Sequence, residues 1–310
     1  MPAELNTKAG RTAVGSQSAN AGQIKTILVP VAGSETDRKV MSLALRLGEP
    51  LRAHLEFLHV RLKPEDAAAG TGQSALPREL MHDTLNQLQC QQSNLATSAT
   101  QYVERFCREH GIPECVAPST AEGVTASCIE VTGAATETLL FHARHNDLAV
   151  LGRARHVDGM PRNLIDELLI GSGRPILIAS DDAVHEILGT VLVGWKETPN
   201  AARAVSTALP LLQLADRVVL VNVAEDNSIG LRALEHLSAE LSWHGIAAEL
   251  RQVGDGVVPA ATLLPMVAAE LHAGLIVVGG FGHARLRETV FGGVTRSLIE
   301  SASVPVFLVH

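Results

Sequence analysis

The residues best suited to chemistry in this chain are glycines in its second half. Gly279-Gly280-Phe281-Gly282 is followed, after nine intervening residues, by Gly292-Gly293. Glycine lets a backbone approach a phosphate closely and adopt positive φ. A helix starting at Gly292-Gly293 would offer unpaired backbone N–H groups to an anion, and the helix dipole favours negative charge there. His283 directly follows Gly282, where it could hydrogen-bond a ligand or merely cap the loop. Trp195 closes an apolar run in the same half; it could stack on a base or simply pack at a strand end. Lys196 comes next and could reach a phosphate directly.

The corresponding stretch of the first half is different. After Gly152 it reads Arg153-Ala154-Arg155 and later Met160-Pro161-Arg162-Asn163, with neither the second nor the third glycine. Arg153, Arg155 and Arg162 could serve another anion, but solvated charges on a loop are the better reading. No nucleotide is expected in this half.

Other chemistries find little support. A G-x-G-x-x-G fingerprint after the first strand, a Walker A lysine motif and a G-x-S-x-G elbow are all missing from the sequence. Gly171-Ser172-Gly173 reads as a helix stop. Thirteen histidines are scattered; His142 and His145 lie three apart, with no cysteine or carboxylate pattern to complete a metal site. Cys90, Cys107, Cys115 and Cys128 form no C-x-x-C pair and read as reduced, buried structural thiols.

These residues sit on a duplicated framework. Thr26-Ile-Leu-Val-Pro-Val31 and Thr190-Val-Leu-Val-Gly-Trp195 each open a half, followed by turn residues and helical patterns near 36–48 and 199–213. Second strands follow at 55–60 and 218–223, third strands near 127–132 and 247–253, and glycine-ended strands at 147–152 and 275–279. Pro175-Ile-Leu-Ile-Ala179 and Pro305-Val-Phe-Leu-Val309 close the two halves. Strand and helix alternate twice over, which implies parallel sheets with helices on both faces. The first half is longer by a helix of about 77–110 and an irregular stretch near 113–126.

Residues 1–23 have no apolar core and read as a disordered tail, not a secretory signal. Units at 24–181 and 187–310 follow, joined by a short linker. Hydrophobic residues make up 46% of the chain and aromatics 3%, enough for two cores built from Ala, Val, Leu and Ile. A net charge of −8 argues against a nucleic-acid partner. No apolar run is long enough to span a membrane, and a cytoplasmic location is expected.

Gly279-x2-Gly282-x9-Gly292-Gly293, between a strand and a helix, resembles the signature G-x2-G-x9-G-[ST] of the universal stress protein family, and nearly all of 24–310 resembles two such units in tandem. The resemblance implies two Rossmann-like (adenine nucleotide alpha-hydrolase-like) α/β domains, each a five-stranded parallel sheet of order 3-2-1-4-5. It implies ATP or AMP in the second unit, with Gly279, Gly282, Gly292, Gly293 and Val294 at phosphate-loop positions and the Val223 backbone against adenine. Two departures stand out: Lys196 replaces the family's strand-one Asp, and Gly293 replaces its Ser/Thr. Ala32 stands at the Asp position of the first unit, which carries no cofactor in this reading. The implied function is stress-response regulation by ligand sensing, without dedicated catalysis. A nucleotide-free scaffold for a protein partner and a slow ATPase using Gly293, Arg285 or Arg287 are the alternatives. Family dimers pair their last strands, so an intramolecular pseudo-dimer is expected, with a homodimer as a further step.

Overall fold

Apolar runs without alternation mark strands covered on both faces, and here they become the inner strands of one sheet. The structure is a computed structural model that describes residues 24–34, 36–63, 78–117, 123–153, 163–182, 186–223, 230–254, 258–280 and 293–310. The first half runs β1 (Thr26–Pro30), α1 (Asp37–Leu51), β2 (His54–Arg61), α2 (Arg78–His110), β3 (Thr125–Thr132), α3 (Ala135–His145), β4 (Leu148–Leu151), α4 (Leu164–Gly171) and β5 (Ile176–Ile178). The second repeats this as β6 (Thr190–Gly194), α5 (Pro199–Leu212), β7 (Arg217–Val223), α6 (Gly230–Trp243), β8 (Ala248–Val253), α7 (Ala260–Glu270), β9 (Leu275–Gly279), α8 (Gly293–Ser301) and β10 (Val306–Val309).

The described strands form one ten-stranded sheet in the order β3-β2-β1-β4-β5-β10-β9-β6-β7-β8. Within each half the neighbours are parallel and follow the expected order 3-2-1-4-5. Where the halves meet, β5 and β10 run antiparallel, with Leu177 opposite Phe307 and its neighbours Ile176 and Ile178 opposite Leu308 and Val306. Leu177 and Phe307 occupy the same position of the repeat, so an approximate twofold axis passes between them. Each last strand covers an edge that would otherwise expose unpaired amides and carbonyls.

The continuous sheet corrects one expectation. Instead of one core per half, two apolar layers lie on opposite faces, and each runs through both halves. One layer holds Met41 and Leu47 of α1, Val103 and Phe106 of α2, Leu211 of α5 and Leu237 of α6. The other holds Leu139 of α3, Leu168 and Leu169 of α4, Val267 of α7 and Leu298 of α8. Strand residues alternate between them: Ile27 and Val29 face the first layer, Leu28 the second.

Element ends follow local chemistry. Thr198 caps α5 by accepting the Ala201 N–H, with Pro199 in the first turn. Gly48 does not stop α1; the helix ends at Arg52 in the left-handed region, and the Ala53 N–H reaches back to the Gly48 carbonyl at 3.0 Å. Gly171 ends α4, and Gly173 follows with φ +67, as a helix stop requires. Helix α2 has 33 residues, so it extends about 50 Å. Its buried side chains among those described lie from Ala96 onward.

Candidate functional site

In an open α/β sheet a ligand sits beyond the carboxyl ends of the strands, where successive connections leave in opposite directions. In the second half that point lies between β6 and β9, because β6 pairs with β7 on one side and β9 on the other. Trp195, Lys196, Val223, Gly279 and Gly280 all lie at or just beyond these strand ends, and Gly293 and Val294 open α8. Gly282, His283, Gly292, Arg285 and Arg287 lie outside the described residues.

Gly279 is a glycine for a reason the motif does not announce. A Cβ placed on it would stand 2.5 Å from the Ala201 nitrogen and 2.6 Å from the Asn200 carbonyl carbon. The first turn of α5 therefore presses directly on the end of β9. Gly280 follows: its N–H donates to the Val309 carbonyl at 2.6 Å, and its own carbonyl accepts from the Asn200 side-chain amide. These two glycines set the start of the loop by packing. Gly293 is the opposite case, since it is exposed and no atom of the described residues lies within 4 Å of a Cβ built there. The first amides of α8 have no partners within the helix.

Trp195 packs its ring on an apolar layer and is half-buried. Its backbone is fixed by β7, with its N–H donating to the Val221 carbonyl at 2.8 Å and its carbonyl accepting from Asn222 at 3.1 Å. The indole Nε1–H is buried and has no partner among the described residues. Lys196 is exposed at the strand end. Val223 is half-buried against the other layer. Thr295, which the sequence reading passed over, is buried in the first turn of α8. Its signal was a hydroxyl two positions beyond the last motif glycine.

The first half fills the same places from within. Asp37 opens α1, and its Oδ2 accepts the N–H groups of Ala32, Gly33 and Ser34 at 3.0, 2.7 and 3.0 Å. Three successive amides converging on one oxygen form an anion-binding nest, here holding the chain's own carboxylate. Gly33 has φ +80, and a Cβ there would stand 2.8 Å from the Leu95 carbonyl oxygen, so the loop lies directly against α2. Burial is the largest influence on Asp37 and raises its carboxyl above the ordinary 3.8, against the opposing amides and the nearby His59. His59 takes the repeat position of Asn222. Its Nδ1–H donates to the Val31 carbonyl at 2.9 Å.

Arg153 corrects the reading of solvated loop charges. It is 6% exposed, and its guanidinium reaches across to the second half. It donates to Asp181 Oδ2 at 2.8 Å, to the Glu300 carbonyl at 3.3 Å and to the Ala302 carbonyl. Arg155 and Arg162 lie outside the described residues. His142 of α3 is half-buried, and its ring pairs with Glu56 at 2.6 Å. His145 bonds the Phe141 carbonyl one turn back. Among the described residues, no group of three His, Cys, Asp or Glu side chains could hold a metal. Burial holds the Cys107 thiol up at about 12 and raises Cys128 as well, so neither is an activated nucleophile. Cys90, by contrast, is exposed on α2.

No curated protein matches the chain. Among solved structures, it is similar to a universal stress protein from Archaeoglobus fulgidus DSM 4304, with TM-score 0.66 and 17% identity over 93% of this chain and 96% of that one. It is also similar to a protein of unknown function from Pseudomonas aeruginosa PAO1, with TM-score 0.56 and 14% identity over 92% of each chain. A third similar structure is named a putative universal stress protein and comes from Pseudomonas aeruginosa UCBPP-PA14, with TM-score 0.55 and 15% identity over 92% of this chain and 93% of that one. At these identities the likeness speaks for the fold. Two stretches of the sequence, 23–172 and 188–310, match the model of the universal stress protein family. Those two stretches make up most of the chain, and the protein therefore belongs to the universal stress protein family.

Proposed function

We propose that the chain is a regulatory, ligand-sensing protein that takes an adenine nucleotide in its second unit and none in its first, without dedicated catalysis. The observation that carries this reading is the contrast between the strand-end loops of the two units. In the first, three loop amides are spent on Asp37, and Arg153 stands just after β4 where the second unit has Gly280. In the second, α8 begins at the open Gly293, and the buried Trp195 Nε1–H lacks an acceptor among the described residues. An anionic ligand with a ring bearing acceptors suits both features. The family's adenine contact falls on the Val223 backbone, and Thr295 places a hydroxyl in the helix's first turn. No helix among the described residues is long and apolar enough to cross a membrane.

The test is to denature the purified chain and analyse the released small molecules by mass spectrometry, with calorimetric titration of ATP and AMP in magnesium. About one nucleotide per chain, lost in Gly293→Val, is the expected result. Two per chain, or binding that survives Gly293→Val, would contradict the assignment. Turnover of ATP abolished by the same substitution would revive the slow ATPase.

A nucleotide-free scaffold is the second reading. It is favoured by Lys196 and Gly293, which stand where the family carries an Asp and a hydroxyl. Absence of co-purified nucleotide, with no rise in Tm on adding ATP and magnesium, would select it.

A further inference from the structure

Arg153 is the one strongly buried cation at the seam between the units among the described residues, and its bonds are unequally distributed. Its covalent home is the turn after β4 in the first unit. Its guanidinium ends at the carboxyl end of α8 in the second, on the Glu300 and Ala302 carbonyls. The last carbonyls of a helix lack intrahelical donors and carry the negative end of the dipole, so a buried guanidinium there is both partner and counter-charge. The cation is held in turn. Asp181 accepts from Arg153 at 2.8 Å, while the Asp181 carbonyl accepts from Lys39 of α1 at 2.7 Å.

A second contact acts at the end of β9. Leu169 of α4, in the first unit, lies 3.0 Å from where a Cβ on Gly280 would be. Leu169 and Leu298 belong to the apolar layer that crosses the twofold axis. The first unit thus touches the segment from β9 to α8 at both ends: Gly280 at its start and the last turn of α8 at its finish. Residue 153 occupies in the first unit the place of Gly280 in the second, so a position that is a packed glycine in one unit carries in the other the side chain that bonds its sister's helix.

We propose that Arg153 is a positioning residue: through it the first unit sets the axial position of α8, and with it the amides at Gly293 and Val294 that receive the anion. The anion part of this inference rests on the proposed nucleotide site. A unit without a ligand of its own then has a definite task, holding its sister's binding helix in place. Because coupling between two events is reciprocal, nucleotide at the amino end of α8 also tightens the seam at its carboxyl end.

The experiment compares the full chain with Arg153→Met and Arg153→Lys, using calorimetric titration of ATP with magnesium and hydrogen exchange of the amides in 293–301. The expected result is about tenfold weaker ATP binding and at least about tenfold faster α8 exchange in Arg153→Met. Arg153→Lys, which keeps the charge and one donor direction, recovers part of both. If Arg153→Met lowers Tm but leaves ATP affinity unchanged, the residue is only structural and the inference is wrong. If the wild-type chain binds no ATP, the nucleotide reading fails by itself. Exchange then decides the inference: unchanged rates in α8 overturn it, and accelerated rates confined to that helix uphold its positional core. Should Arg153→Met fail to fold, Asp181→Asn removes the carboxylate that orients the guanidinium, and the same two shifts are expected at smaller size.

Discussion

Asp37 offers the most direct test of the self-filled anion nest. Replacing it by alanine removes an acceptor from three backbone amides, of which Ala32 N–H is buried and those of Gly33 and Ser34 are partly so. A buried donor left without a partner costs about 1–3 kcal/mol, and a partly hydrated one less. Against this, alanine also relieves the burial of the carboxylate, the largest influence on its raised pKa. Balancing these terms, Asp37→Ala should lose about 2–4 kcal/mol at pH 7, and Asp37→Asn, which keeps an acceptor without the charge, about 1 kcal/mol. Urea unfolding is the assay, read as a fall in the midpoint at unchanged m. The emptied nest should then accept an external anion. In about 10 mM phosphate, Asp37→Ala should regain about 1.4 kcal/mol relative to wild type if the dissociation constant is on the order of 1 mM. The pH dependence carries a definite sign. The folded-state carboxyl titrates above 3.8, so the stability linked to it is complete below 3.8 and is lost as pH rises through the folded value. Wild type should therefore gain on Asp37→Asn as pH falls from 7 towards 4. A loss under about 0.5 kcal/mol in Asp37→Ala, with no phosphate rescue, would refute the idea that this carboxylate anchors the loop.

Further expectations concern separate places. Gly279→Ala drives a methyl into the backbone at Asn200 and Ala201 and should cost about 1–3 kcal/mol in urea unfolding, whereas Gly293→Ala meets no atom of the described residues and should stay within about 0.5 kcal/mol. Thiol labelling at pH 8 should modify the exposed Cys90 first and Cys107 last, read by mass spectrometry of the peptides; early labelling of Cys107 would contradict its burial and its pKa near 12. Burial lowers the pKa of His54, whose ring lies between the hydroxyls of Thr125 and Ser127 at 2.8 and 3.0 Å. Its contribution is present above 6.5 and is lost as pH falls through the lower folded value, so His54→Gln should flatten the acid limb of a Tm–pH profile.

The sheet order and the paired last strands were legible because they follow from repetition and from the resemblance those repeats carry. Two copies of one strand–helix pattern fix two copies of one topology, and two short apolar end strands need something to cover them. What stayed hidden depends on contacts between the copies. Arg153 looks like any loop arginine in the sequence, since nothing local tells that the carboxyl end of α8 will arrive beside it. The shared apolar layers are equally invisible, because Ile176 and Leu308 are ordinary core residues until β5 and β10 meet. Gly279 was legible as a required glycine but not for its reason. A motif glycine can serve a ligand's approach or a helix's approach, and only the closeness of Ala201 tells which.

The two units also show how one scaffold can lose a ligand site without losing its form. The amides after a first strand need acceptors in either unit, and the units supply them differently: the Thr198 N–H donates to the Lys196 carbonyl at 2.7 Å in the second, whereas Asp37 takes three amides in the first. An anion from solution supplies one when it binds; a carboxylate one helical turn ahead supplies it permanently. Asp37 lies three to five residues from the amides it serves, close enough for one side chain to complete the turn. The repeat position of Asp37 in the second unit is Ala201, whose N–H is instead capped by Thr198. An Ala201→Asp chain therefore discriminates between causes. If an internal carboxylate is what closes a site, this substitution should weaken nucleotide binding in the second unit at least about tenfold, while Ala201→Asn weakens it much less. The first unit should be untouched, with its urea midpoint unchanged. Equal effects of Asp and Asn would mean that bulk beside Gly279, not charge at the strand end, governs access.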